Sequence, residues 1–68
     1  MVVVCNLGAL LDERGLTIAE LSKRVDITPA NLSKLKNNRA RAIRFDTLVA
    51  ICAELGCQPG DLLTVTEG

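Results

Sequence analysis

Two helix starts lie eleven residues apart in the first half of this 68-residue chain, at Thr17 and Thr28. Thr17 can cap a helix with its hydroxyl group, and Glu20 stands where a capping box places an acidic side chain. Thr28 can cap the next helix, and Pro29 then occupies the first helical position, where its missing N–H costs nothing. Only three residues separate the two helices, so their axes must meet at a sharp angle. The sequence therefore predicts a helix-turn-helix (HTH) over residues 17–36.

The composition favours a small helical bundle. Apolar residues make up 49% of the chain and aromatic residues 1%, so the core must consist of Leu, Ile, Val and Ala side chains. A domain of this size buries only about 60% of the surface of its unfolded chain, so dimerisation would add needed stability. We expect residues 1–68 to form one domain. The apolar run Val2–Val4 is too short for a signal peptide or a membrane span, which predicts a cytoplasmic protein without a membrane partner.

Apolar periodicity predicts five helices, and thus a mainly α-helical fold. Asn6 is the expected cap of the first helix, and Phe45 is expected to anchor the start of the fourth. The fourth helix should begin after a cap at Asp46 or Thr47 and end at Gly56. The other four predicted helices are Leu7–Arg14, Ile18–Val25, Pro29–Lys36, and Pro59 to Leu62 or Leu63.

Both ends of the chain have β-strand character. Val2–Val4 is β-branched throughout, and apolar and polar residues alternate in the segment 63–66. We expect the two to form a small antiparallel sheet. A two-stranded sheet is marginal alone, so it would either close over the helices or extend across a dimer. The sequence leaves open whether the strands pair within one chain or between two.

Charge is unevenly distributed along a chain whose formal net charge is zero. Residues 23–44 contain seven basic side chains and one acidic one, Asp26, so this segment carries a charge of +6 and the remainder −6. Such a separation predicts a surface that attracts phosphate, although a solvated charged face is the simpler alternative. The basic residues are Lys23, Arg24, Lys34, Lys36, Arg39, Arg41 and Arg44.

The residues needed for metal binding or catalysis are scarce. Cys5, Cys52 and Cys57 are odd in number, none of their spacings is C-x-x-C, and the chain contains no histidine. We therefore expect the cysteines to act as small hydrophobic residues, with no metal and no cofactor. The sequence also offers no glycine-rich phosphate loop and no nucleophile beside an evident base. An enzyme is not expected.

Four segments match motifs that we know from one family. They are T-I-A-E-L-S at 17–22, I-T-P-A-N-L-S-K-L-K at 27–36, F-D-T-L-V-A-I-C at 45–52 and L-G-C-Q-P-G-D-L-L at 55–63. Through them nearly the whole chain resembles the Cro/cI-type (XRE-like) HTH proteins of the lambda-repressor-like fold, especially small single-domain bacterial members. The resemblance implies a compact five-helix bundle that binds double-stranded DNA. It further implies a sequence-specific transcriptional regulator, expected to be a repressor, that acts as a homodimer.

The resemblance also implies that the third helix enters the major groove of DNA. Pro29 and Ala30 stand where many family members have long amide side chains, so specific readout would fall on Asn31 toward adenine and Lys34 toward guanine. Asp26 replaces the usual turn glycine and must adopt a left-handed conformation. The positions that match groove-facing residues are Thr28, Pro29, Ala30, Asn31, Ser33 and Lys34. The positions that match phosphate-contacting residues are Thr17, Asn37, Asn38, Arg39, Arg41 and, more weakly, Arg44.

Two functions remain open from the sequence. The first is a DNA-binding regulator that forms a homodimer through the terminal strands and the region of the fifth helix. The second is an antitoxin or accessory protein whose basic face binds an acidic protein, such as a toxin, with little direct base readout. Pro29 and Ala30 keep the second open, because neither side chain can make a bidentate hydrogen bond to a base.

Overall fold

Five helices and two short strands make up the structure, a computed structural model that describes residues 1–67. The predicted domain ends one residue later, at Gly68, which lies outside the described residues. The mainly helical fold with an HTH is confirmed. The elements are β1 (Val2–Cys5), α1 (Leu7–Arg14), α2 (Ile18–Val25), α3 (Pro29–Lys36), α4 (Phe45–Leu55), α5 (Pro59–Leu62) and β2 (Leu63–Thr66).

The two strands pair with each other inside the chain. They run antiparallel, with Val3 opposite Val65 and Cys5 opposite Leu63. The predicted terminal sheet is thus confirmed, and the choice that the sequence left open is resolved in favour of pairing within one chain. Because α5 leads directly into β2, the sheet lies against the helical body at that end.

The core is aliphatic, and every helix contributes to it. Burying one leucine or isoleucine side chain is worth about 1.5–3 kcal/mol, so this cluster is the main source of stability. The absence of a core aromatic residue follows from the composition. The buried residues are Leu7, Leu10, Leu11, Leu21, Leu32, Leu35, Ile51, Cys52, Leu55 and Leu62.

Both starts of the HTH form as the sequence predicts. The Thr17 hydroxyl accepts a hydrogen bond from the backbone N–H of Glu20 at 3.1 Å, and the Glu20 carboxylate accepts one from the backbone N–H of Thr17 at 3.2 Å. The Thr28 hydroxyl accepts a hydrogen bond from the backbone N–H of Asn31 at 3.3 Å. Each helix start therefore satisfies a backbone donor that has no partner within its own helix.

Four helix ends are closed by residues in the left-handed conformation. Gly15 (φ 63°) follows α1, and Gly56 (φ 64°) follows α4. Asp26 (φ 54°) follows α2, as the resemblance implies, and Asn38 (φ 59°) stands two residues after α3. The turn at Asp26 is further held by Ser22, whose hydroxyl donates to the carbonyl oxygen of Ile27 at 2.6 Å.

The predicted start of α4 is wrong. The helix begins at Phe45, because Arg44 has an extended backbone and its carbonyl oxygen already accepts the first helical hydrogen bond, from Leu48 at 3.0 Å. Neither Asp46 nor Thr47 can then cap the helix. Phe45 is 84% exposed and does not anchor it, since the neighbouring Ile43 packs against the core instead.

The predicted cap at Asn6 is also wrong in its mechanism. Asn6 does precede α1, but its backbone (φ −96°, ψ 21°) is not the extended form that brings a side chain back over the helix start. Its side chain makes no capping hydrogen bond, and the carboxamide nitrogen donates instead to the carbonyl oxygen of Asp61 at 3.4 Å. Asn6 therefore joins the start of α1 to α5.

Arginine side chains join α4 to the first two helices. Arg14 Nε donates to the carbonyl oxygen of Leu55 at 2.6 Å and Arg14 Nη1 to that of Leu10 at 3.2 Å, so one cation serves the ends of both α1 and α4. Arg24 on α2 forms an ion pair with Glu54 on α4 at 3.1 Å. Arg14 and Arg24 therefore have partners within the protein.

We expect opposite effects from glycine at the two non-glycine residues in the left-handed conformation. Asp26→Gly should raise the free energy of unfolding by about 0.5–1 kcal/mol, because it removes the steric cost of a side chain in this conformation. Asn38→Gly should lower it by about 1 kcal/mol, because the Asn38 side chain accepts a 2.7 Å hydrogen bond from the backbone of Cys5. Urea denaturation of both variants measures the two changes, and a rise for both would contradict the structural role of Asn38.

Candidate nucleic-acid interface

Helix α3 has one face in the core and one face in solvent. Leu32 and Leu35 are buried, and they hold the helix against the bundle. The predicted base-reading positions follow the other face and the amino-terminal end. Ser33 is half-buried, whereas the exposed ones are Thr28, Pro29, Ala30, Asn31 and Lys34.

A basic groove lies beside this face. It runs between α3, the segment Asn37–Arg44, which we call the basic loop, and the first turn of α4. The groove has a volume of about 360 Å³, and its lining residues include four cations and no carboxylate. It brings together five of the predicted site residues: Asn31, Lys34, Arg39, Arg41 and Arg44. A polyanion placed along α3 would therefore meet residues predicted to read bases and residues predicted to bind phosphates at once.

The start of the basic loop is fixed by the end of α3. The backbone N–H of Arg39 donates to the carbonyl oxygen of Lys34 at 2.8 Å, and that of Asn38 donates to Leu35 at 3.2 Å. These two hydrogen bonds, together with the left-handed backbone of Asn38, make up the Schellman motif that commonly ends a helix. Arg39 is therefore placed next to α3 by ordered backbone rather than by a flexible connection.

Asn38 also ties the basic loop to the sheet. Its side-chain oxygen accepts a hydrogen bond from the backbone N–H of Cys5 at 2.7 Å, across 33 residues of sequence. Asn38 is also a predicted phosphate contact, and its side-chain oxygen is engaged by this hydrogen bond. Asn37 is exposed and lies at the same end of α3, where its backbone N–H donates to Ser33 at 2.9 Å.

Thr17 stands apart from the other predicted phosphate contacts. It lies at the amino terminus of α2 and does not line the basic groove. Its hydroxyl is already hydrogen-bonded twice to Glu20, accepting from the backbone N–H and donating to Oε1 at 3.1 Å. The carboxylate of Glu20 therefore occupies the space in front of this helix end.

Some groove residues are absent from the set predicted from the sequence. Thr47 contributes from the first turn of α4, and Ile27 from the turn before α3. Thr47 lies one helical turn beyond the Arg44 position, so the correct start of α4 would have indicated it. Two small residues of the basic loop, Ala40 and Ala42, also line the groove.

The described part of the chain offers neither a metal site nor a membrane-spanning helix. Within residues 1–67, no three His, Cys, Asp or Glu side chains are grouped so that they could hold a metal ion. Over the same residues, none of the helices is both long enough and apolar enough to cross a lipid bilayer.

Comparison with known proteins agrees with this geometry. Residues 6–68 match the model of the Cro/C1-type HTH DNA-binding domain. The chain is also similar to the uncharacterized HTH-type transcriptional regulator YozG of Bacillus subtilis (strain 168), with 54% identity over 63 residues that make up 93% of this chain and 75% of that protein. The residues 6–68 that match the family model include the HTH, the basic loop and the last two helices. The chain therefore belongs to the family of Cro/C1-type helix-turn-helix DNA-binding domains.

Proposed function

We propose that this protein is a transcriptional repressor that binds a specific double-stranded DNA site as a homodimer, with α3 in the major groove. The observation that carries the proposal is the basic groove, in which Lys34, Arg39, Arg41 and Arg44 lie beside the exposed face of the recognition helix. The similarity to an HTH-type transcriptional regulator supports the same function. The proposal places the protein in a compartment that contains DNA, the cytoplasm of a bacterial cell.

Base readout is assigned to the exposed face of α3. Asn31 can make a bidentate hydrogen bond to adenine, and Lys34 can donate to the acceptors of guanine. Thr28 and Ser33 supply adaptable hydroxyl groups, and Pro29 and Ala30 offer contacts to the methyl group of thymine. Arg39, Arg41 and Arg44 neutralise backbone phosphates and so provide most of the affinity.

Repression requires nothing of this chain beyond occupancy of its site. A domain bound over a promoter excludes the transcription machinery sterically, and the bound amount then follows the concentration of the protein. The described residues form one small bundle around one core, and all the helices pack against it. We therefore propose control by protein concentration.

The proposed dimer uses the exposed end of the terminal sheet and the α5 region next to it. Strand register places Val3, Cys5, Leu63 and Val65 on one sheet face, since alternate residues share a face. Cys5 and Leu63 pack against the core, whereas Val3 is 61% exposed and Val65 60%. An apolar valine pair that extends past the core is a surface that a second copy would cover. Dimerisation fits a family whose members bind two half-sites about one helical turn apart.

The DNA-binding prediction concerns the basic loop. The double variant Arg39→Glu/Arg41→Glu should weaken binding to a fluorescent random duplex by about a hundredfold at moderate salt. The slope of log affinity against log salt should become shallower by about one unit for each lost phosphate contact. A salt series read by fluorescence anisotropy, with circular dichroism as a check on folding, measures both quantities.

The control for charge alone compares two single variants. Arg39→Glu and Lys23→Glu change the net charge equally, but Lys23 lies on α2 and does not line the groove. Only Arg39→Glu should cause a large loss. Equal losses would show a diffuse charge effect, and no duplex binding by the wild type at low salt would favour the protein-binding alternative.

The dimer prediction compares two neighbouring residues on opposite sheet faces. Val3→Lys should shift the protein from dimer to monomer at micromolar concentration, because it places a charge in the apolar contact. Val2→Lys, on the other face of β1, should leave the dimer intact. Sedimentation equilibrium gives the masses, and a monomeric wild type or a dimeric Val3→Lys variant would contradict the proposal.

A third prediction tests whether the start of α2 faces DNA. Glu20→Gln keeps the capping box, in which glutamine serves as well as glutamate, but removes one negative charge beside Thr17. If a phosphate lies there, affinity should rise about fivefold, which corresponds to about 1 kcal/mol of lost repulsion. Glu13→Gln on α1 is the matched control with the same change in charge. An unchanged affinity for Glu20→Gln would remove Thr17 from the interface.

A further inference from the structure

Two cysteines, Cys52 and Cys57, are joined by a backbone hydrogen bond at the end of α4. After the left-handed turn at Gly56, the backbone N–H of Cys57 donates to the carbonyl oxygen of Cys52 at 3.0 Å. The end of α1 has the same form, with Leu16 donating to Leu11 at 3.0 Å across Gly15. At helix ends of this type, the side chains of the two bonded residues commonly contact each other. Where α1 has two leucines, α4 has two thiols.

The two thiols differ in their access to solvent. Cys52 is 9% exposed and belongs to the core, whereas Cys57 is half-buried. Both line an open surface groove next to Val49 and Pro59, through which a small solute can reach Cys57 first. Burial raises the pKa of the Cys52 thiol, and the charge of Cys57 raises it further. The Cys52 thiol is therefore held in its protonated form more strongly than an exposed thiol.

We propose that Cys52 and Cys57 are a redox modification site, at which a hydroperoxide converts the two thiols into an intramolecular disulfide. The Cys57 thiolate attacks one oxygen of hydrogen peroxide and the O–O bond breaks. Cys57 becomes a sulfenic acid, and the released hydroxide takes up a proton and leaves as water. The sulfur of Cys52 then displaces the hydroxyl group from Cys57 and loses its proton, which leaves as water with that hydroxyl. Overall, two thiols are oxidised and hydrogen peroxide is reduced to two molecules of water.

The geometry favours this pairing over others. The 3.0 Å backbone hydrogen bond joins Cys52 to Cys57, their thiols are hydrogen-bond neighbours, and both line the same groove. Cys5 lies in β1 opposite Leu63 and outside this groove, and its pKa is also raised by burial. The new bond would close the loop 52–57 and restrict the unfolded chain, so it should stabilise the protein.

The test uses the full chain treated with limiting hydrogen peroxide. We expect the intact mass to fall by two hydrogen atoms without covalent dimers. Because Glu54 lies between the two cysteines, cleavage after glutamate in the denatured protein should leave the Cys52 and Cys57 fragments joined until a reductant is added. The Tm of the oxidised protein should rise by at least about 5 °C. A disulfide that includes Cys5, or sulfinic acid at Cys57 without a disulfide, would overturn the proposal.

Three variants make the test independent of folding defects. Cys5→Ala should form the disulfide at the wild-type rate. Cys57→Ser changes a half-buried residue and should leave Cys52 reduced, because the oxidant can no longer enter through Cys57. Cys52→Ala should allow Cys57 to oxidise beyond the sulfenic acid. Rapid oxidation of Cys52 in the Cys57→Ser variant would contradict the assigned roles.

Discussion

The burial of Leu32 and Leu35 determines which side of α3 is exposed to a ligand. These two side chains fix the rotation of α3 about its own axis, because they must point into the aliphatic core. The helical period then places Asn31 and Lys34 on the exposed flank next to Leu35, toward the basic groove. The other helices contribute the remaining core leucines, so the bundle is the support that presents one helix face to a ligand.

A polar contact connects the interface to the sheet. Asn38 ends α3 in the left-handed conformation and at the same time accepts the backbone hydrogen bond of Cys5. This hydrogen bond lies near the start of the basic loop, and it holds the last residue of the strand whose exposed valine belongs to the proposed dimer contact. β1 and the start of the basic loop are therefore joined by a direct hydrogen bond. Asn38 thus lies between the proposed dimer surface and the proposed DNA-binding groove.

Much of the fold could be predicted because the ends of several helices depend on contacts between residues close in sequence. The capping box at Thr17 and the proline after Thr28 act within a few residues, so the bounds of α2 and α3 followed from the sequence. The start of α4 did not, because Arg44 begins it by backbone geometry alone, and because Ile43 rather than Phe45 turned inward. The role of Asn38 depends on a partner 33 residues away, which no local pattern shows. The same limit applies to the groove, since the path of the basic loop decides which cations meet beside α3.

The most direct test of this account is to map the contact surface of the whole protein on duplex DNA by NMR. Titration of the isotope-labelled chain with a short duplex should shift backbone amide signals in residues 28–34 and 39–44. Signals of α1 and of the carboxyl-terminal half of α4 should change little. Shifts concentrated on α1 or on the terminal sheet, with the basic loop unchanged, would contradict the central claim that the groove beside α3 is the DNA-binding surface.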